Sequence, residues 1–393
     1  MLSATLLIVA IVVIVALVFD FTNGFHDAAN AMATSVATGA LTPRRAVALA
    51  AVLNVVGAFL STEVAKTISG GMVDDSFVTP EMVLAGLCGA ILWNLLTWLL
   101  GLPSSSSHAL FGGLIGAVLV GAGASGVHWP VIVSKILLPA VVAPVVAGLA
   151  AALATRAAYR VMRGADREGG ARMFRAGQTV SASFVALAHG TSDGQKTMGV
   201  ITLVLVTGGY QASGTGPHLW VIVAAGLAIG LGTYSGGWRI MRTMGKGLVE
   251  IQSPQGFAAE TSSSVAILAS SHMGFGLSTT HVASGSILGS GLGRGTEVRW
   301  GTARRMAYAW ALTLPAAGAV GALAALLTRL GTGGSLLVVV ILAVFSAIIW
   351  RVSRRAAVSH ANVNEQSDVV VLARPGADSV ADLPEPETAT SRR

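Results

Sequence analysis

Four polar motifs interrupt an otherwise apolar chain, and they form two pairs. Asn23-Gly24-Phe25-His26-Asp27-Ala28-Ala29-Asn30 lies in the first hydrophobic segment; His189-Gly190-Thr191-Ser192-Asp193-Gly194-Gln195-Lys196 lies in the corresponding segment of the second half. Aligned on Asp27 and Asp193, they also match at Gly24/Gly190 and Met32/Met198. A charge at mid-membrane costs at least about 2.5–3.5 kcal/mol, and such residues usually mark substrate or ion pathways. The hard oxygens of Asp27, Asp193, Asn30 and Gln195 suit a small hard cation or a proton. The competing reading is structural, with the carboxylates bonded to backbone freed at the glycines. Duplication at matched places weighs against it.

The second pair is rich in hydroxyls. Leu102-Pro103-Ser104-Ser105-Ser106-Ser107-His108 and Gly276-Leu277-Ser278-Thr279-Thr280-His281 each join an apolar segment to a Gly-rich apolar one. Ser and Thr are good helix N-caps, and a helix N-terminus offers unpaired N–H groups and partial positive charge to an anion. Ser105, Ser106 and Ser107 at one tip, with Ser278, Thr279 and Thr280 at the other, are therefore candidate substrate contacts. Two such ends converging from opposite faces would cradle a compact oxyanion without a fixed cationic cage. An anion entering an inside-negative cell works against about 2.3 kcal/mol per charge per 100 mV. A dianion thus needs two or more cations, or a neutralising metal, to accompany it. Asp27, Asn30 and Asp193 are the candidates for that coupling.

Other residues stay open. His26, His108, His189 and His281 sit in the four motifs and either relay protons or serve as hydrogen-bonded structural groups. Lys196 either pairs with Asp193 or neutralises substrate charge. Glu260 lies either near the second tip or at the cytoplasmic interface. Gly190 to Thr197 superficially resembles a nucleotide P-loop, but Gln195 precedes Lys196, the spacing is short and no strand precedes it. An intramembrane hydrolase built on Ser and His is disfavoured by the duplication of both tips and the lack of a Gly-x-Ser-Gly element.

The elements that must position these groups are membrane helices. Of 393 residues, 53% are hydrophobic and 11% charged, with a mean hydropathy of +0.72; soluble chains carry roughly a quarter charged residues. The net charge of +7 reports topology rather than nucleic acid, because the arginines cluster in short segments between apolar runs. Cys88 stands alone and excludes an intramolecular disulfide. The first apolar segment has no basic n-region, and it reads as a retained helix broken near Asn23-Gly24. Several apolar segments fall short of the roughly 20 residues of a full crossing, notably 281–293. Short, interrupted segments in equivalent places of two halves point to discontinuous helices at a transporter's site.

These features predict an all-α polytopic membrane protein: an inverted-repeat transporter with broken helices and two re-entrant helical hairpins. Repeat 1 covers 1–162, with a hairpin at about 81–122. A cytoplasmic linker spans 163–172. Repeat 2 covers 173–353, with a hairpin at about 257–293 and a final helix, and 354–393 forms a disordered cytoplasmic tail. Arg156, Arg160, Arg163, Arg167, Arg172 and Arg175 place the central loop inside, and every other basic cluster then falls on the same side. The N-terminus is outside, the C-terminus cytoplasmic, and one hairpin opens to each face.

The four motifs resemble those of the inorganic phosphate transporter (Pit, or phosphate permease) family over essentially the whole chain to about residue 350. The resemblance implies a plasma-membrane secondary transporter, without cofactor or enzymatic activity, that moves phosphate with Na⁺ or H⁺. It places the phosphate and cation site on Asp27, Asn30, Ser105–Ser107, Asp193, Gln195 and Ser278–Thr280. Where many members have Asn-Asp, this chain has His26-Asp27 and Ser192-Asp193. The first substitution is similar to the bacterial low-affinity branch, which is associated with protons and neutral metal–phosphate, so H⁺ is favoured over Na⁺. Gly276 stands where the family usually has Pro. The implied partners are inorganic phosphate, free or metal-bound, and membrane lipid, with no nucleic acid; a homodimer and a metal site are left open. A sulfate or other oxyanion permease would share this architecture.

Overall fold

Both acidic motifs lie on unbroken helices. The structure, a computed structural model, describes residues 4–163 and 167–364. The helices follow as α1 (Ala4–Ala37), α2 (Pro43–Gly57), α3 (Glu63–Lys66), α4 (Pro80–Leu99), α5 (Ser106–Gly121), α6 (Trp129–Val131), α7 (Leu138–Met162) and α8 (Arg167–Thr207). After them come α9 (Leu219–Ser235), α10 (Trp238–Lys246), α11 (Ser253–His272), α12 (Thr279–Arg294), α13 (Trp300–Thr328) and α14 (Thr332–Ser353). The break expected near Asn23-Gly24 does not occur, and α8 likewise continues through its motif for 41 residues.

The glycines permit contact between helices instead of interrupting them. A Cβ on Gly24 would sit 2.3 Å from the Ile229 carbonyl oxygen of α9, and one on Gly190 would sit 2.2 Å from that of Asn54 in α2. The reciprocal contacts are as tight: a Cβ on Gly57 would sit 2.2 Å from the Leu187 carbonyl oxygen, and one on Gly232 would sit 2.1 Å from that of Phe21. Each pair is the other with the halves exchanged. Helix α1 of the first half is thus clamped by α9 of the second, and α8 by α2.

The same exchange governs the hairpins. The α4–α5 hairpin packs against α13, where a Cβ on Gly116 would meet the Gly318 carbonyl oxygen at 2.0 Å. The α11–α12 hairpin packs against α7, where a Cβ on Gly289 would meet the Gly148 carbonyl oxygen at 1.9 Å. At 16 residues each, α5 and α12 extend about 24 Å, short of the roughly 30 Å hydrocarbon thickness. They are half-spans whose N-termini must end inside the protein. By length and apolarity, Thr5–Ala37, Pro80–Leu99, Trp129–Met162, Trp300–Thr328 and Thr332–Ser353 could cross, and α9 with α10, bent by 69°, make a broken span or a re-entrant loop. The polar motif keeps α8 out of that set.

Part of the expected tail is docked rather than free. Val363 is buried against the cluster that includes Val36 and Met241. Arg242 donates to the Asn362 carbonyl oxygen at 2.6 Å, and Asn364 Nδ2 to that of Val36 at 3.4 Å. An apolar plug, one charge-assisted hydrogen bond and one neutral one hold residues whose composition alone reads as disordered tail. Residues 365–393 of the tail, and 164–166 of the expected linker, lie outside the described residues. The rest of that linker, from Arg167, opens α8.

Candidate substrate and ion site at the hairpin tips

Each tip is built by one capping hydroxyl. Ser105 Oγ accepts from the His108 N–H at 3.1 Å at the start of α5, and Ser278 Oγ from the His281 N–H at 3.3 Å at the start of α12. With these hydroxyls committed, the next two residues of each tip turn to the core. The tips meet: Ser107 Oγ donates to the Leu277 carbonyl oxygen at 3.2 Å, and the His108 and His281 rings stack with centroids 4.9 Å apart.

Helices α1 and α8 bring both acids to this junction. Ser106 Oγ donates to Asp27 Oδ2, and Thr280 Oγ1 lies 3.4 Å from Asp27 Oδ1 as its donor. Thr279 Oγ1 donates to Asp193 Oδ2 at 3.3 Å. Asn30 Nδ2 reaches Thr279 Oγ1 at 3.2 Å and Thr280 Oγ1 at 3.0 Å. Asp27 thus receives a hydroxyl from each hairpin. The tips, Asp27, Asn30 and Asp193 are brought together, almost entirely out of solvent.

The two halves differ at one equivalent position. Asn30 and Lys196 each follow their aspartate by one helical turn. Asn30 contacts Thr280 of the second tip, while Lys196 Nζ donates to Ser107 of the first tip at 2.5 Å. Lys196 also pairs with Asp193 Oδ1 at 2.5 Å. Where the first half offers a neutral amide, the second offers an ammonium group. The sequence alternatives for Lys196 are thereby narrowed: it pairs with Asp193 and touches the tip.

Histidines complete the surroundings. His26 Nδ1 lies 2.6 Å from Asp27 Oδ1, and its Nε2 lies 3.1 Å from Thr97 Oγ1 of α4. His189 Nε2 is 3.3 Å from Asp193 Oδ2, and its Nδ1 faces Asn54 Oδ1 at 3.2 Å. Asp27, His189 and Asp193 each offer a ligand atom within 4.8 Å of one another. These donors could hold a small cation.

Gln195 is the one predicted site residue that the structure carries elsewhere. Its Oε1 accepts from the Val64 N–H at 2.8 Å, and its Nε2 donates to the Thr191 carbonyl oxygen at 2.6 Å. The reason is the unbroken α8. At about 100° per residue, a residue two positions past Asp193 points to nearly the opposite face. His189 at i−4 and Lys196 at i+3 share the face of Asp193. Gln195 therefore ties α8 to the start of α3.

Glu260 lies neither at the tip nor at an exposed interface. It is buried between helices, with Thr34 Oγ1 donating to Oε1 at 2.5 Å, Gln178 Nε2 to Oε1 at 3.2 Å and Ser181 Oγ to Oε2 at 2.5 Å. Sequence reasoning missed Asp20, which is fully buried on α1 two turns before Asp27.

This geometry can be set beside known proteins. Residues 23–321 match the profile described as the phosphate transporter family. The chain belongs to that family. A probable low-affinity inorganic phosphate transporter of Mycobacterium bovis is 55% identical over 383 residues, 96% of this chain and 92% of that protein. One of the same name from Bacillus subtilis is 40% identical over 322 residues, 81% of this chain and 96% of that one. A solved structure titled "The sodium-dependent phosphate transporter" superposes with a TM-score of 0.75 at 24% identity, over 82% of this chain and 99% of the other. The transporter therefore shares that all-α membrane fold, and its hairpins and acidic motifs all fall within the family's matched span, which leaves out the first nineteen residues of α1. As a member of a transporter family it is not an enzyme.

Proposed function

We propose that this chain imports inorganic phosphate across the plasma membrane by proton symport, holding the anion between the amino ends of α5 and α12. The observation that carries this reading is the meeting of two capped helix N-termini beside Asp27 and Asp193. Half-helix N-termini favour an anion through their unpaired N–H groups and dipoles. The tips are in hydrogen-bond contact, so phosphate enters only when they part. Rocking of one repeat against the other supplies that opening, and the exchanged packing of each hairpin on the other half's helix couples the two motions.

H⁺ is favoured over Na⁺ by what already surrounds the acids. Asp27 has His26 and Asp193 has Lys196 and His189 at contact distance. A sodium ion must compete with those donors for carboxylate oxygens, whereas a proton exchanges along imidazole and carboxylate groups within hydrogen-bond reach. Lys196, paired with Asp193, already occupies a place beside that carboxylate that a mobile cation would otherwise take. A second reading, entry as a metal–phosphate complex, is supported by the Asp27–His189–Asp193 triad. It predicts equal molar uptake of phosphate and divalent metal. The arginine clusters support an outside N-terminus and a cytoplasmic C-terminus.

The test is labelled phosphate uptake into proteoliposomes under an imposed pH or Na⁺ gradient, one at a time. The expected result is acceleration by an inward proton gradient and none by sodium, with sulfate a poor competitor. Sodium-driven uptake at constant pH overturns the coupling assignment, and equal competition by sulfate overturns the substrate. Gln195→Ala supplies a control on the site. It is expected to lower stability by about 1–3 kcal/mol, through the lost acceptor for Val64, while KM for phosphate stays unchanged. A raised KM with unaltered melting would return Gln195 to the substrate site.

A further inference from the structure

Asp20 is the acidic group on α1 that the central site does not use. It is 0% exposed, and among the described residues neither of its carboxyl oxygens has a hydrogen-bond partner or a basic group at ion-pair distance. Its neighbours are Asn23, one turn along the same helix, and Thr197 of α8. Both side-chain polar atoms of Asn23 and the Thr197 hydroxyl are also buried and unpartnered. Three neighbouring polar side chains left unsatisfied together are unusual in an interior where buried polar atoms are nearly always bonded. An isolated ionised carboxyl in such surroundings is costly enough that it takes up a neutralising partner.

The position along the helices adds meaning. Asp20 precedes Asp27 by seven residues, which is about two turns and about 10 Å along α1 on nearly the same face. Helix α8 runs antiparallel beside it: Thr197 flanks Asp20, Asp193 and His189 share a possible ligand cluster with Asp27, and Ser181 meets the Glu260 that also binds Thr34. A polar seam therefore runs between α1 and α8, and Asp20 terminates it on the side of the α1 N-terminus. The charged groups close enough to act on Asp20 are Asp193 and Lys196 of α8, themselves an ion pair. Of the other helices packed beside α1 there, α4 carries Glu81 in its first turn and α9 carries Tyr234 in its last turn.

We propose that Asp20 is a second proton-binding site, which takes up a proton from the α1 N-terminal side and passes it along the α1–α8 seam toward Asp27. A proton suits the geometry better than a metal cation. The identified neighbours contribute one amide and one hydroxyl besides the carboxyl, few oxygens for a cation shell. A proton needs no shell. This reading rests on proton coupling for transport, though proton binding at Asp20 can be measured without it.

The experiment uses the full-length protein in lipid, as wild type, Asp20→Asn and Asp20→Glu. Infrared spectra at neutral pH are expected to show a protonated-carboxyl band in wild type that Asp20→Asn lacks. Uptake of labelled phosphate driven by an inward proton gradient should fall at least about tenfold in Asp20→Asn, while phosphate–phosphate exchange at equal pH persists and Asp20→Glu restores driven uptake. Unchanged driven uptake in Asp20→Asn overturns the proposal. So does joint loss of exchange and driven uptake that Asp20→Glu fails to rescue, or a wild-type band abolished by Na⁺. If wild-type uptake ignores the pH gradient, the coupling reading fails separately; the infrared band then decides whether Asp20 binds a proton.

Discussion

Asp27→Asn should abolish proton-driven phosphate uptake, by at least about 100-fold, the scale of losing an acid–base group, while protein remains in the membrane. Among the described residues, Asp27 is the single side chain that takes hydroxyls from both hairpins, through Ser106 and Thr280, and His26 lies at contact distance from it. Asparagine keeps the shape but loses the charge and one acceptor. The tips then lack the group that exchanges a proton as they open and close. Asp193→Asn should stop driven uptake as well, and it adds a stability cost. It leaves the buried Lys196 ammonium without its carboxylate, a loss of about 3–5 kcal/mol for a broken buried pair. Uptake assays on purified, reconstituted variants, with melting curves alongside, separate the two effects. Wild-type driven uptake in Asp27→Asn would refute its role.

Lys196→Asn carries the second large expectation. It gives the second half the residue that the first half has at Asn30, and it removes a lysine that touches both an acid and a tip. Asp193 is left buried with His189 as its remaining basic neighbour. In buffer without sodium the variant should lose about 3–5 kcal/mol of stability. Addition of Na⁺ should restore part of that loss, because a mobile cation can take the place of the ammonium and stabilises by mass action. Driven uptake should change from proton dependence towards sodium dependence. Melting that ignores Na⁺, with uptake still driven by the pH gradient alone, would show that Lys196 is a structural strut and not a tethered cation.

Much of this site could be read from residue order. The two tips and the pairing of Asp27 with Asp193 follow from hydroxyls before Gly-rich apolar runs and from duplication; that Ser105 and Ser278, read as substrate contacts, spend their hydroxyls on capping emerged only from the structure. What misled was glycine. Gly24 and Gly190 read as helix breakers, yet their lack of a side chain serves backbone contact with α9 and α2, which no local pattern reveals. That error propagated to Gln195, since only on a broken helix could a residue two positions past Asp193 face the same locus. On a continuous helix the periodicity selects His189 and Lys196 instead, and the Asn30/Lys196 asymmetry becomes visible. Asp20 was legible in principle. Its seven-residue spacing to Asp27 and on to Thr34 marks one stripe of α1, but Phe19 and Phe21 on either side disguise it as part of an apolar run. The docking of Val363 depends on a pocket assembled from distant helices, so composition alone could not foretell it.

The central claim is that phosphate sits between opposed helix ends. An experimental density map of the protein in lipid with saturating phosphate tests it most directly. The account predicts a tetrahedral peak within hydrogen-bond distance of backbone N–H groups at the starts of both α5 and α12, with the tips moved apart and Asp27 beside them. A phosphate peak bound to only one hairpin, or lying away from both while Ser107 still contacts Leu277, would contradict it.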